Sequence, residues 1–346
     1  MHLKKELKNS EVKMKNIVKI SCLLFLLFLL LSCAKPSEPA SVEGSLDIEH
    51  IFEISGYARD IFVTDSYLYI AEDQAGYSIF DIISNDLISH HVSYIMETDP
   101  VMFENVRAIT AVEDENLLFV YDRYGPASIN VFDMTNKVDP EFLFQHQGNT
   151  DGIIQLESDV SSIGGADLLW TNGGKYNFAR FDQFWQSLDY YEFPNSVERF
   201  DVDASKVYIS AEQLGFHIVN RSNGDILSTT DTDAEALDVK IVDNYAIVAL
   251  RQAGFAVYDI SDVSDPTLVC QKETNEYIYT IDIEGDNMVL GSHIGGVYLY
   301  DISDITNPAL VGNLDSDKIG YTYEVVLHNN KIYASTRQGV YKIEIN

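Results

Sequence analysis

The sequence predicts an all-β chain: a seven-bladed β-propeller whose N-terminal strand closes the last blade. Three observations predict it. A two-strand unit recurs along the chain, the recurrence has a period of about 40–45 residues, and the chain has a spare strand at its start and lacks one at its end.

The unit is clearest at residues 244–267. Tyr245-Ala246-Ile247-Val248-Ala249 is apolar and β-prone, and Arg251-Gln252-Ala253-Gly254 is a turn whose glycine can take positive φ. Residues 255–260 form a second strand. Asp259-Ile260-Ser261-Asp262 turns the chain through side-chain-to-backbone bonds, and Asp265-Pro266 launches the next strand. Residues 287–308 repeat this turn for turn. The polar residue that ends the second strand gives a marker in each unit: Asp81, Asp133, Asp182, Asn220, Asp259, Asp301 and Glu344. Their spacings are 52, 49, 38, 39, 42 and 43, and in five units a glycine stands five residues earlier, at 76, 215, 254, 296 and 339. Apolar residues alternate with period two, as in Lys331-Ile332-Tyr333-Ala334, which excludes helical repeats of similar length.

Taken in order, residues 1–33 read as an export signal. Lys4, Lys5, Lys8, Lys13, Lys15 and Lys19 precede an apolar run at 20–31 that is too short to span a bilayer comfortably. Leu30-Leu31-Ser32-Cys33 resembles the bacterial lipobox, where cleavage precedes a cysteine that is then lipidated. Cys33 is therefore the expected lipidation site, and an envelope membrane, outer rather than inner, the expected partner. Met14 opens an equally good, shorter signal. Residues 34–44, rich in Pro, Ser, Glu and Ala, read as a flexible tether, and 45–346 as the propeller domain. Residues 46–54 form a strand without a unit of its own, ahead of the first inner strand at 60–64. The last unit stops at Ile345-Asn346, one strand short. Pairing the first strand with the last unit closes the ring and removes two bare edges. The third unit is the divergent one. Its first strand falls somewhere in 152–163, its next two at 167–171 and 176–182, with a different turn at 172–175; this leaves six or eight blades open.

Composition limits function. Lys and Arg total 23 against 54 Asp and Glu, a formal net charge of −31, which excludes nonspecific nucleic-acid binding because phosphates are repelled. With Cys33 lipidated and Cys22 in the signal, Cys270 has no partner, so packing alone must stabilise a domain expected to be monomeric.

Val-Tyr-Leu-Tyr-Asp-Ile-Ser at 297–303, Phe-Ala-Val-Tyr-Asp-Ile-Ser at 255–261 and Tyr-Ser-Ile-Phe-Asp-Ile-Ile at 77–83 resemble the LVIVD-repeat proteins. The resemblance covers about residues 57–346. It implies a propeller and an exported location, and it brings no catalytic residues.

No zinc, thiol, nucleophile-elbow or phosphate-loop motif occurs, and the adjacent His90-His91 pair points opposite ways on a strand. No cofactor is expected; Ca²⁺ is the one weighed, and each Asp-rich turn offers it too few oxygens. Turn position separates the charges. One set of turns is acidic, whereas the other carries Arg59, Arg107, Arg123, Arg199, Arg251 and Arg337 with Gln252 and Gln338, six of the eight arginines. Their forks of donors suit an anionic ligand, a glycan or an acidic protein segment, with Tyr57, Tyr124, Tyr176, Tyr279 and Tyr323 as stacking faces. The competing expectation is that these arginines hold neighbouring blades together through backbone carbonyls and the Glu72, Asp122 and Glu212 of adjacent turns. Binding without catalysis is the expected function. The alternative is an extracellular polysaccharide hydrolase or lyase using carboxylates at the channel mouth.

Overall fold

The computed structural model describes residues 45–124, 127–147, 150–159, 167–171, 175–180, 186–193 and 196–346, with backbone only for 159, 167, 175–180 and 186–190. The signal, Cys33 and the tether lie outside the described residues.

The chain begins with β1 (Leu46–Phe52) and then lays down sheets of four strands in sequence order. The first sheet is β2 (Asp60–Val63), β3 (Tyr67–Ala71), β4 (Tyr77–Asp81) and β5 (Leu87–His91). A hairpin, β6 (Ser93–Met96) and β7 (Asp99–Met102), precedes the second sheet: β8 (Val106–Val112), β9 (Leu117–Asp122), β10 (Ser128–Asp133) and β11 (Glu141–His146). The third is β12 (Gln155–Asp159), β13 (Asp167–Thr171), β14 (Lys175–Arg180) and β15 (Gln186–Glu192). The fourth is β16 (Phe200–Val202), β17 (Lys206–Ser210), β18 (Phe216–Asn220) and β19 (Ile226–Thr230). The fifth is β20 (Asp238–Val242), β21 (Tyr245–Ala249), β22 (Phe255–Asp259) and β23 (Thr267–Lys272). The sixth is β24 (Thr280–Glu284), β25 (Asn287–Ser292), β26 (Gly296–Asp301) and β27 (Ala309–Leu314). The last comprises β28 (Thr322–His328), β29 (Lys331–Thr336) and β30 (Val340–Ile345), completed by β1, which pairs antiparallel to β30 from Leu46↔Ile345 to Phe52↔Val340. The expected clasp is thus observed.

Two local devices recur and explain the repeat. First, the marker carboxylate or amide folds the chain after the third strand. Asp81 accepts from the N–H groups of Ile83 and Ser84, Asp259 from Ser261, Asp301 from Ser303, and Asn220 from Ser222. Second, the glycine before the third strand lies against the outermost strand. A Cβ on Gly76, Gly254 or Gly296 would come within 2.0 Å of the carbonyl oxygen of His91, Lys272 or Leu314 respectively. At Gly339 the same Cβ would meet the carbonyl of Phe52, so β1 occupies the position of an outermost strand by this criterion too. Each third-to-outermost pairing, β30 with β1 included, carries one register shift, a bulge that adds twist.

The core lies between sheets. Tyr69 and Ile79 of the first pack on Val106, Leu118 and Val120 of the second; Phe119 and Tyr121 on Leu168 and Trp170; Leu169 on Phe200 and Val219. Tyr208 and Phe216 then meet Ala246 and Val248, Ile247 meets Met288 and Leu290, Val289 meets Ile332, and Tyr333 with Phe52 meets Leu68 and Ile70. The sequence of apolar layers therefore returns to its start. Each sheet is covered on both faces, which is why the middle strands read as apolar runs.

The hairpin β6–β7 accounts for the long spacing of 52 and was not anticipated. It is held by Tyr94, whose ring stacks on Phe142 at 4.7 Å and meets Phe103 and Phe132.

Candidate functional site

Residues just before an inner strand and just after a second strand emerge at the same end of the ring, because those two strands are antiparallel neighbours. Paired backbone bonds knit this end together. Asp73 exchanges N–H···O bonds with Val106 of the next sheet, and Glu212 with Ala236, while Ile278 donates to Arg251. Asp73, Glu212 and Arg251 reach these partners with φ of 57°, 46° and 40°. All six arginines of the expected face arise here. Arg59 and Arg199 precede β2 and β16, Arg107 is the second residue of β8, and Arg123, Arg251 and Arg337 follow β9, β21 and β29.

Their side chains are not equivalent. Arg59 donates from Nε and Nη2 to Asp73 Oδ2, at 2.7 and 2.5 Å, and lies over the rings of Tyr57 and Tyr323. Arg199 pairs with Glu324 at 2.5 Å, Arg251 pairs with Glu235, and Arg337 Nε donates to the Tyr323 hydroxyl with its guanidinium over Tyr321. Arg107 Nε donates to the Asn105 side-chain oxygen, and Asn105 in turn donates to Asp73. Gln252 is exposed at its turn; Gln338 Oε1 accepts from the Tyr341 hydroxyl. The three acids named as braces have other partners. Glu72 accepts from Ser55 N–H, Asp122 from the N–H groups of Glu104, Asn105 and Tyr124, and Glu212 is hydrogen-bonded to Glu198.

An aromatic array lies beside the arginines. His293 is sandwiched between Tyr279, with ring centroids 3.5 Å apart, and Tyr321, at 4.5 Å, and Tyr323 approaches edge-on. Burial, then the charges of Arg199 and Arg337, push the His293 imidazole down to about 4, so it is neutral at neutral pH. Tyr57 and Tyr124 are about half exposed, and the Tyr176 side chain lies outside the described set.

Inside the ring, the inner strands line a cavity of about 220 Å³ that holds Arg59, Arg107, Arg199, Lys240, Asp60, Glu157, Asp282 and Glu324. The sequence reading missed these carboxylates. Four inner-strand aspartates link neighbouring sheets by accepting a backbone N–H from the next inner strand: Asp60 from Ile109, Asp201 from Ile241, Asp238 from Ile281 and Asp282 from Leu327. The signal available was an acid within an otherwise apolar inner strand. Burial, helped by the charge of Glu324, pushes Asp60 up to about 8; burial likewise pushes Asp238 up to about 7 and Asp282 up to about 6. Burial also works against the charges of Arg199 and Lys240. The carboxylates around them, chiefly Glu324 for Arg199 and Glu157 for Lys240, outweigh it and keep both cationic.

A second cavity of about 310 Å³ shares Arg199 and Ile154 with the first and opens the channel at the arginine end. Glu198, Glu212, Glu235, Arg251, Tyr279, His293 and Tyr323 are among its lining residues. Burial, then the hydrogen bond and charge of Glu212, push Glu198 up to about 7, so the pair holds a proton near neutrality. Among the described residues no group of three or more His, Cys, Asp or Glu is arranged to hold a metal ion.

Solved structures share this architecture. U3-55K matches over 88% of this chain and 100% of its own, with a TM-score of 0.69 and 12% identity. The RRP9 WD40 repeats match over 90% and 100%, with 0.69 and 11%. The computationally designed Ika8 protein matches over 85% and 98%, with 0.58 and 11%. At such identities the likeness is one of fold, and the fold is a β-propeller. The LVIVD repeat model matches residues 55–87 and 233–274, so the first and fifth sheets are built from segments similar to LVIVD repeats. No curated protein is significantly similar to it in sequence.

Proposed function

We propose that this is a seven-bladed, non-enzymatic propeller of the bacterial envelope, anchored by lipid on Cys33, that binds a ligand or partner protein on its arginine-bearing end. The observation that carries the reading is the concentration of six arginines and the array Tyr279–His293–Tyr321–Tyr323 around one open mouth of a protein with net charge −31. Loops on a closed ring hold such groups at fixed positions, so little ordering is lost on binding. The ligand classes that suit the face are an anion, a glycan or an acidic protein segment. The test captures envelope proteins and polysaccharides on the domain and on its Arg251→Ala/Arg337→Ala variant. A ligand retained by the first and lost by the second, with both folded, supports the reading; lower stability with no binding difference makes these arginines braces. Replacing Cys33 with Ser and finding fatty-acid labelling unchanged would remove the anchor.

A hydrolase or lyase is the second reading, favoured by Glu198. A carboxyl that keeps its proton to about pH 7 beside a second carboxylate is the arrangement a general acid needs. Release of reducing ends from envelope polysaccharide, abolished by Glu198→Gln, would establish it.

A further inference from the structure

We propose that the sector of the mouth formed by Arg59, Arg107 and Arg123 binds a tetrahedral oxyanion, the phosphate or sulfate group of a larger ligand. The proposal rests on the ligand-binding reading above and gives that ligand a chemical class and a place.

Three guanidiniums from two adjacent sheets meet here, close enough that both Arg59 and Arg123 work against the charge of Arg107. The acids that face them are Asp73 and Asp122, with the Tyr124 phenol alongside. Asp73 is already engaged by both Arg59 nitrogens and by the Asn105 amide, and Asp122 by three backbone N–H groups. Among the described residues Arg107 has one protein acceptor, the neutral Asn105 oxygen, on its Nε. Arg107 lines the channel cavity, and among the described residues no carboxylate forms an ion pair with Arg107 or with exposed Arg123. The other arginines of the face are matched: Arg199 by Glu324 and Arg251 by Glu235, with Arg337 spread over tyrosines. Three arginines against two carboxylates leave one excess positive charge in this sector, carried by guanidiniums without an ion-pair partner. Burial and like charge both disfavour this in the free protein, and a doubly charged oxyanion relieves it by accepting from the free fork of Arg107 and from Arg123. A tetrahedral oxyanion also offers more acceptor oxygens to two separate forks than a carboxylate does.

The test is thermal unfolding of the full-length protein in sodium phosphate, sodium sulfate and sodium chloride at matched ionic strength. Binding to the folded state alone raises the midpoint by a few degrees in phosphate or sulfate over chloride. Arg107→Gln abolishes that difference and, without anion, unfolds no earlier than wild type, because a repulsion has been removed. Arg123→Gln, at an exposed position, also abolishes it and decides the matter should Arg107→Gln not fold. The proposal is overturned if phosphate and sulfate match chloride in the wild type, or if the variants keep the shift. Glucose 1-phosphate and phosphatidylglycerol vesicles then separate a soluble phosphorylated ligand from a lipid headgroup, since each is expected to lose binding in Arg107→Gln only if it supplies the anion. Should the anion site fail while capture dependent on Arg251 and Arg337 persists, the binding face stands without it.

Discussion

A hydrogen atom in place of a methyl group lets five of the sheets close at their outer edge. Gly254 and Gly296 combine φ of 76° and 79° with a carbonyl oxygen 2.0 Å from where a Cβ would be. Gly254→Ala is expected to destabilise by about 2–4 kcal/mol, from left-handed strain plus the displaced outer strand, measured by urea unfolding. Gly285, also left-handed but with open space around its Cβ position, is the control, and alanine there should cost about 1 kcal/mol. The linking carboxylates are a second single-residue test. Asp201→Ala leaves the N–H groups of Val202 and Ile241 without their acceptor and should cost about 2–3 kcal/mol. The glycines were readable as turn residues because they recur at fixed distance from the marker. The carboxylates were not, because an Asp in a strand looks like any alternating polar position until the ring turns that position toward a neighbouring sheet. The arginines were placed on the right end by turn type alone, but sequence separation hides their partners: Arg199 and Glu324 are far apart in the chain.

Among elements, β1 and the β6–β7 hairpin show what periodicity can and cannot convey. β1 was legible because a spare strand and a missing one balance. Its role is also protective: Lys331 and Lys342 both pair with Glu49, and Lys342, 5% exposed, donates to Ile82 of the first sheet. Removing residues 1–53 bares the full length of β30, an apolar edge. The truncated protein should associate, visible as species larger than a monomer by light scattering, whereas retention of a well-folded monomer would show that the clasp is dispensable. The hairpin was illegible because it belongs to no repeat and carries Asp99-Pro100, which reads as a turn. Only its aromatic contact with the second sheet explains it. Tyr94→Ala should cost about 3 kcal/mol by loss of that contact.

The molecule as a whole titrates in two opposed directions. Asp60, Asp238, Asp282 and Glu198 hold protons up to about 8, 7, 6 and 7, whereas the unfolded chain releases them in the ordinary carboxylate range near pH 4. Between those limits the folded state binds more protons, so stability falls as pH rises. Asp81, Asp133, Asp259, Asp262 and Asp301, held low by hydrogen bonds from their turns, act the other way. Their contribution is present above the ordinary range and lost as pH falls through it. The thermal midpoint should therefore rise as pH is lowered from 8 to about 5 and drop below about 4. A midpoint that climbs steadily from 5 to 8 would contradict the buried acids.

The clasp has a mechanical side. Tension applied at the N-terminal side of the domain enters at Ser45, whose hydroxyl donates to Val311 of the sixth sheet, and at Leu46, where the ladder to Ile345 begins. The strand that completes the circle is thus the first to be loaded when the protein is pulled, and the strength of a single seven-residue seam limits how hard the circle can be hauled without springing open.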